Sequence, residues 1–341
     1  MKNLYDQKAK PLTLKKSDAL WKKASNLIPG GCQTFSKMPY QHVAGVSPKL
    51  LSRGYGCRSW DVDNNEYIDY MMSLGPNILG YADKEINNAA FEGAKLGVLS
   101  SLGHPLETVL AEKLASVIPC AEMVRFGKNG SDVTSASIRA ARSFTGREKI
   151  LVCGYHGWHD WYIGSTSRNL GVPKEVQNLT LEFKYNDIDS LKNAFKSNPG
   201  EIAAVMMEPV NFIEPSEGFL EEVRTITHEN NALLIFDEVI TGFRANIGGA
   251  QALFNVNPDL ACFGKAMANG YPMSALVGRA DVISIFEEAF FSGTFGGDLV
   301  SISASIATID AIEERETLKY INSMGLRLKD GYNEISKSLG M

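Results

Sequence analysis

Lys265 stands in Phe263-Gly264-Lys265-Ala266-Met267-Ala268-Asn269-Gly270-Tyr271-Pro272, directly after a short apolar run and inside a Gly-rich turn. An ammonium that loses solvation there becomes an amine nucleophile toward carbonyl carbon; taken alone, such a lysine is equally at home as a solvated loop residue. Asp237 follows Ala232-Leu-Leu-Ile-Phe236, one loop-and-helix crossover upstream. A carboxylate fixed beside a buried run is costly without a cation. A protonated heterocyclic nitrogen would serve, as would a salt bridge to Arg244, and a plain helix cap is the structural alternative.

Asn129-Gly130-Ser131 opens a helical segment that runs to Gly146, and the N–H groups and dipole at such a start favour a phosphate. A capped helix needs no ligand, so this segment alone decides nothing. The chain has no GxxxxGK[ST] run after a strand, which argues against a nucleotide P-loop. Tyr155-His156-Gly157-Trp158-His159-Asp160 is the densest aromatic and imidazole cluster. In one reading Tyr155 lies flat on a planar ligand; in the other His156 and His159, with Asp160 or Glu208, hold a metal. H-E-x-x-H is absent and no third ligand has telling spacing, so no metal is expected.

The elements that must position these groups are legible in the hydrophobic pattern. Ile150-Leu-Val-Cys153, Ile202-Ala-Ala-Val-Met-Met207, Ala232–Phe236 and Leu260-Ala-Cys-Phe263 are short apolar runs alternating with helical segments, the signature of a parallel sheet covered on both faces. Each run leads straight into one of the clusters: Tyr155-His156, Glu208-Pro209, Asp237-Glu238 and Gly264-Lys265. Ligands of open α/β sheets bind beyond the carboxyl ends of the strands, so four such ends point into one pocket. Before this region, residues 13–27 predict a helix with Leu14, Leu20, Trp21, Ala24 and Leu27 near one face. Residues 49–72 predict an antiparallel meander of KLLSR, CRSWDVD and EYIDYMM. A last amphipathic helix is expected from about Leu318 to Leu339.

The chain has 341 residues, 39 acidic against 34 basic, a net charge of −5, and 44% hydrophobic residues. This is ordinary globular usage and excludes a basic-patch nucleic-acid binder. Cys32, Cys57, Cys120, Cys153 and Cys262 are odd in number and scattered, against a disulfide framework, so a reducing compartment is expected. The basic N-terminus lacks the apolar stretch of a secretory signal and no run could span a bilayer, so a cytoplasmic protein without membrane contact is expected.

An amine nucleophile, a carboxylate for a cationic nitrogen, a phosphate cradle and an aromatic plate, all at strand ends, together meet the requirements of pyridoxal 5′-phosphate (PLP). Lys265 would form a Schiff base with its aldehyde, and Asp237 would keep the pyridine nitrogen protonated so that the ring accepts electrons. Lys265, displaced by an amino substrate, would then move a proton between substrate and cofactor carbons.

The sequence resembles the class III aminotransferases of fold type I, and most closely the branch containing glutamate-1-semialdehyde 2,1-aminomutase. The motifs are Ile28-Pro-Gly-Gly31, Trp60-Asp-Val-Asp-Asn-Asn-Glu-Tyr-Ile-Asp-Tyr70, Leu74-Gly75-Pro76, Asn129-Gly130-Ser131, Tyr155-His156-Gly157, Glu208-Pro209, Asp237-Glu238-Val239-Ile240-Thr241-Gly242-Phe243-Arg244 and the lysine turn. The resemblance implies an α/β fold, a mostly parallel sheet flanked by helices, with a small α+β domain that is C-terminally incomplete. Residues 1–74 would be the N-terminal helix and meander of the small domain, 75–312 the large PLP-binding domain, and 313–341 the start of a C-terminal subdomain whose remainder is absent. It implies Lys265 as the Schiff-base lysine and Asp237 as the pyridinium partner. Gly130 and Ser131 would hold the phosphate, Tyr155 and Val239 would cover the two ring faces, and His156 and Glu208 would complete the cofactor shell. Thr294 would reach the phosphate of a neighbouring subunit, which makes the expected enzyme a homodimer with shared sites.

Three departures matter, the first for the turn after Thr294 and the other two for the substrate. Gly296-Gly297-Asp298 replaces Gly-Asn-Pro after Thr294; Lys37 stands near where the aminomutase branch commonly has an arginine for the substrate carboxylate; and Leu74 replaces a tryptophan. Lys37, Ser73 and Leu74 are thus candidate substrate residues. The leading expectation is a PLP-dependent aminotransferase moving an amino group between an amino acid and an aldehyde or keto acceptor, a keto-sugar among them. The second is the intramolecular aminomutase giving 5-aminolevulinate. From other classes stand a metal-dependent hydrolase using His156, His159 and Glu208, and a catalytically silent scaffold.

Overall fold

The predicted meander forms as a three-stranded antiparallel sheet, β1 (Leu51–Tyr55), β2 (Arg58–Asp61) and β3 (Glu66–Ile68), in that order. Its turns follow from Gly56, at φ 54°, and Asn64, at φ 66°, both in the left-handed region. The buried Asp61 carboxylate gathers the second turn, accepting from the Asp63 and Asn65 amides at 2.9 Å and from Tyr67 Oη at 2.8 Å. The helix Lys15–Leu27 precedes the sheet, and its open first turn is capped by Asp63, which accepts from the Lys16 and Ser17 amides at 2.9 and 2.8 Å. The expected apolar face of this helix is covered only in part: Leu14, Trp21 and Ala24 are half-buried, Leu20 and Leu27 are exposed, and Ser17 is the fully buried position.

The computed structural model describes residues 12–210 and 212–341, in two compact units. The first comprises the described residues up to Leu74 with Gly80–Asp83, and the second comprises Gly75–Leu79 with Lys84–Met341. In the second lie β4 (Met123–Gly127), β5 (Lys149–Cys153), β6 (Thr180–Glu182), β7 (Ile202–Met207), β8 (Leu233–Asp237), β9 (Leu260–Phe263) and β10 (Ser274–Gly278). They form one sheet in the order β4-β10-β9-β8-β7-β5-β6. From β9 to β6 every pair is parallel, and β10 runs antiparallel to both β9 and β4. Every residue of β7 to β10 is buried, which is why these strands read as continuous apolar runs.

Helices cover both faces. Leu110, Leu114, Phe219, Val223 and Ile302 join one core with Leu151, Val205, Leu234 and Ala261, while Val133, Ile138 and Ala140 join the other with Ile150, Ala204, Ile235 and Cys262. The alternation of neighbouring strand residues between two cores is the period of two expected for a sheet buried on both sides. Residues 313–341 belong to this second unit, where the helix Thr317–Ser338 follows the helix Leu299–Glu314.

Candidate active site

Asp237 is the last residue of β8 and is 5% exposed, so its charge must be met by designed partners. His156, in the turn after β5, places Nδ1 2.8 Å from Asp237 Oδ2, and the Val239 amide donates to Oδ1 at 3.1 Å. His156 Nε2 is buried and has no hydrogen-bond partner among the described residues. An unmet lone pair is tolerated far better than an unmet N–H, so the proton belongs on Nδ1, where it is donated to Asp237. The Asp237 carboxyl is therefore held by two donors, one on each oxygen, with acceptor capacity left for a cationic nitrogen. The imidazole is fixed by Trp161, stacked at 14°, and by the edge of Tyr162.

Glu208 ends the run of β7, between the strands that carry His156 and Asp237. Its Oε2 accepts from the Tyr155 amide at 3.1 Å. Burial pushes this carboxyl above the usual glutamate value, opposed by the Tyr155 N–H. Gly154, at φ 112°, makes the approach possible, since a Cβ there would sit 2.6 Å from Glu208 Oε2. The Tyr155 ring is exposed and meets Tyr162 edge-on at 5.7 Å, so one of its faces can carry a flat ligand.

The helix Gly130–Thr145 starts at the sheet with Asn129 as its cap residue, and Asp132 Oδ2 accepts from the Asn129 amide at 2.8 Å. Gly130 lies against Val239: a Cβ on it would be 3.1 Å from Val239 Cγ1. Ser131 is buried, its hydroxyl accepts from the Trp158 amide at 3.3 Å, and a Cβ on Gly157 would run into that hydroxyl. Asn129-Gly130-Ser131 and Tyr155-His156-Gly157 are thus one assembly, tied again by Thr134 Oγ1 donating to the His156 carbonyl at 2.9 Å.

Lys265 follows β9 in a left-handed conformation, φ 45°, at the start of the turn Lys265–Ala268. Burial lowers its pKa from the ordinary 10.5, while Asp237 and Glu208 pull it back up. This is the setting of a nucleophilic amine, not of a solvated loop lysine. Arg244 does not pair with Asp237; its Nη2 donates to the Gly75 carbonyl. A Cβ on Gly75, whose φ is 102°, would lie 3.8 Å from Arg244 Nη2 and 3.9 Å from Lys265 Cδ.

Lys265, Asp237, His156 and Glu208 thus act on one another, and Gly130, Ser131, Tyr155 and Val239 border the same strand ends. Thr294 is exposed and lines a cavity of about 460 Å³ with Lys128, Asp132, Ser135, Arg139 and His159. Lys37, Ser73 and Leu74 belong to the first unit. Lys37 is exposed in the turn Phe35–Lys37, Ser73 Oγ donates to Tyr81 Oη at 2.9 Å, and Leu74 has φ 71°. Among the described residues no group of three His, Cys, Asp or Glu side chains is placed to hold a metal ion. His159 instead meets Ser135 Oγ, with Nδ1 2.6 Å away. Sequence reasoning quoted Gly75 only within a motif, and missed that Arg244 turns to the Gly75 carbonyl and forms no salt bridge among the described residues.

PLP fits what is present. Asp237 offers an oriented carboxyl to a ring nitrogen, Gly130 and Gly157 leave room where side chains would collide with Val239 and Ser131, and Lys265 supplies a partly desolvated amine. The family model described as aminotransferase class-III matches residues 40–340. The chain is 39% identical to the 3-aminobutyryl-CoA aminotransferase of Cloacimonas acidaminovorans (strain Evry), over 98% of this chain and 81% of that protein. It is 38% identical to the glutamate-1-semialdehyde 2,1-aminomutase of Methanococcoides burtonii, over 95% of this chain and 80% of that one. Among solved structures, the PLP internal aldimine form of the FumI protein of Sphingopyxis sp. MTA144 superimposes with a TM-score of 0.90. The identity is 33%, covering 96% of this chain and 80% of that one.

Proposed function

The chain belongs to the class III aminotransferase family, and on that premise we propose that it moves an amino group from an amino donor to an aldehyde or keto acceptor, with Lys265 and Asp237 as its catalytic residues. The observation that supports these roles is the setting of Lys265, an amine desolvated by burial in the field of the two strand-end carboxylates Asp237 and Glu208. PLP, on which the family depends, supplies an electrophilic carbon and an electron sink. Lys265 Nζ would hold that carbon and, as a free amine, would carry protons to and from the substrate carbon. Asp237 holds a positive ring nitrogen, and His156 holds Asp237 through its Nδ1 proton. Tyr155 and Val239 cover the ring, while Gly130 and Ser131 seat the phosphate on the helix start.

The family contains both transfer between molecules and the intramolecular aminomutase reaction. Lys37 and Leu74, standing where resembling aminomutases have Arg and Trp, favour transfer between molecules, with a bulkier acceptor such as a keto-sugar within range. Incubation with glutamate 1-semialdehyde and no second donor or acceptor tests this: little 5-aminolevulinate is expected, and efficient conversion would establish the aminomutase.

The proposed assembly is a homodimer in which Thr294, exposed on its own chain, completes the partner's phosphate site. The five free cysteines support work in a reducing cytoplasm. No helix among the described residues is long and apolar enough to cross a membrane.

A further inference from the structure

Arg244 is a partly buried cation that meets no counter-ion among the described residues. Its guanidinium makes one hydrogen bond, to the Gly75 carbonyl, and forms no salt bridge among the described residues. Arginine does not escape burial by losing its proton, so a desolvated, unpaired guanidinium is costly unless an anion meets it. Its surroundings say where that anion would sit. Gly75 has no side chain, and the position a Cβ would take is within 4 Å of both Arg244 Nη2 and Lys265 Cδ.

We infer that Arg244 binds a carboxylate of the amino donor in the gap over Gly75, and so selects donors that carry an anion close to the amine they transfer. The inference rests on the amino-transfer reading above. The remaining donors of the guanidinium can grip a carboxylate through two parallel hydrogen bonds, a geometry that Lys37 could not supply. Cofactor phosphate is the other anion in reach of such chemistry, but the Gly130-Ser131 helix start, against Val239 and Gly157, already provides its seat. Arg244 is a specificity residue in this account, and the Gly75 carbonyl aims it.

Calorimetric titration of the PLP-loaded protein with butyrate, a carboxylate without an amine, measures the anion site independently of turnover. The wild type should bind butyrate, Arg244→Gln should bind it about tenfold more weakly or worse, and Arg244→Lys, which keeps the charge and a donor for Gly75, should fall between. Kinetics should agree: Arg244→Gln raises KM for 3-aminobutyrate by a much larger factor than KM for butan-2-amine, its analogue without the carboxylate. Equal loss on both amines, or butyrate binding that is absent in the wild type or unaltered in Arg244→Gln, overturns the assignment. So does loss of PLP from Arg244→Gln with butyrate affinity intact in the fraction still loaded, which would give the guanidinium to phosphate. Butyrate binding that depends on Arg244, with neither amine turned over, would uphold the anion site and sink amino transfer instead.

Discussion

His156 Nδ1 and Asp237 Oδ2 lie 2.8 Å apart, one after β5 and the other at the end of β8, with the whole of β7 between their strands. The pair makes Asp237 a carboxylate with a fixed orientation. Breaking one buried hydrogen bond to a charged group costs about 1–3 kcal/mol. His156→Ala should therefore lower kcat about 10- to 100-fold while PLP affinity changes little. His156→Asn, which keeps a donor near Nδ1, should recover part of the loss. A full kcat in His156→Ala would show that the imidazole is only packing.

Lys265→Ala should abolish transfer, with turnover down by several powers of ten, each worth about 1.4 kcal/mol of barrier. Lys265→Arg should do no better. Burial places the lysine's midpoint below 10.5, so the amine of the wild type becomes reactive at lower pH than an ordinary lysine. Between the folded midpoint and 10.5 the unfolded chain binds the extra proton, so the cofactor-free protein gains stability as pH rises across that window. Denaturant titrations of the apo protein as a function of pH measure this slope, which should flatten in Lys265→Met.

Glu208 works in the opposite sense. Its carboxyl is raised above 4.5 by burial, so between 4.5 and its folded midpoint the folded state binds the extra proton and stability falls as pH rises. Glu208→Gln should remove that fall. It also deletes a charge that supports the ammonium of Lys265, so the pH midpoint for PLP capture, read from the visible band, should move down. An unmoved midpoint would mean that the two groups are not coupled.

Gly157→Ala puts a methyl group onto the Ser131 hydroxyl at a backbone position with φ 103°. Such strain costs about 1–3 kcal/mol. Thermal unfolding should come earlier and PLP should bind more weakly, because Ser131 is pushed from the helix start. Unchanged PLP affinity would mean that Ser131 does not contact the phosphate.

If Thr294 completes a neighbour's site, PLP retention should depend on assembly. Dilution through the dimer dissociation range should release PLP as monomers form, and Thr294→Ala should lower retention at every concentration. Stoichiometric PLP on an isolated monomer would contradict the shared site.

The apolar runs announced β5, β7, β8 and β9 because strands buried on both faces must be apolar at every position. The polar residue after each run announced the site. What the sequence could not show is adjacency. The pairing of His156 with Asp237 depends on strand order, and the solitude of Arg244 depends on where its side chain turns after Phe243, itself at φ 57°. Edge elements were missed for a different reason: β4 is half exposed and β6 has three residues, so neither makes an apolar run. The leucines of the first helix misled in the opposite direction, since amphipathic spacing shows a face without saying that anything in the chain covers it.

The side-by-side order β5-β7-β8-β9 separates what can vary from what cannot. Neighbouring strands keep a spacing of about 4.8 Å whatever the length of the chain that links them. Tyr155, Glu208, Asp237 and Lys265 each follow or end one of these strands, so their mutual positions are set by backbone pairing and not by the crossovers. Lengthening a crossover carries only a slowly growing entropic cost and falls on the surface. Insertions far from the strand ends should be tolerated with the chemistry intact. A single-residue deletion inside β8 would move Asp237 to the other face of the sheet and silence the enzyme.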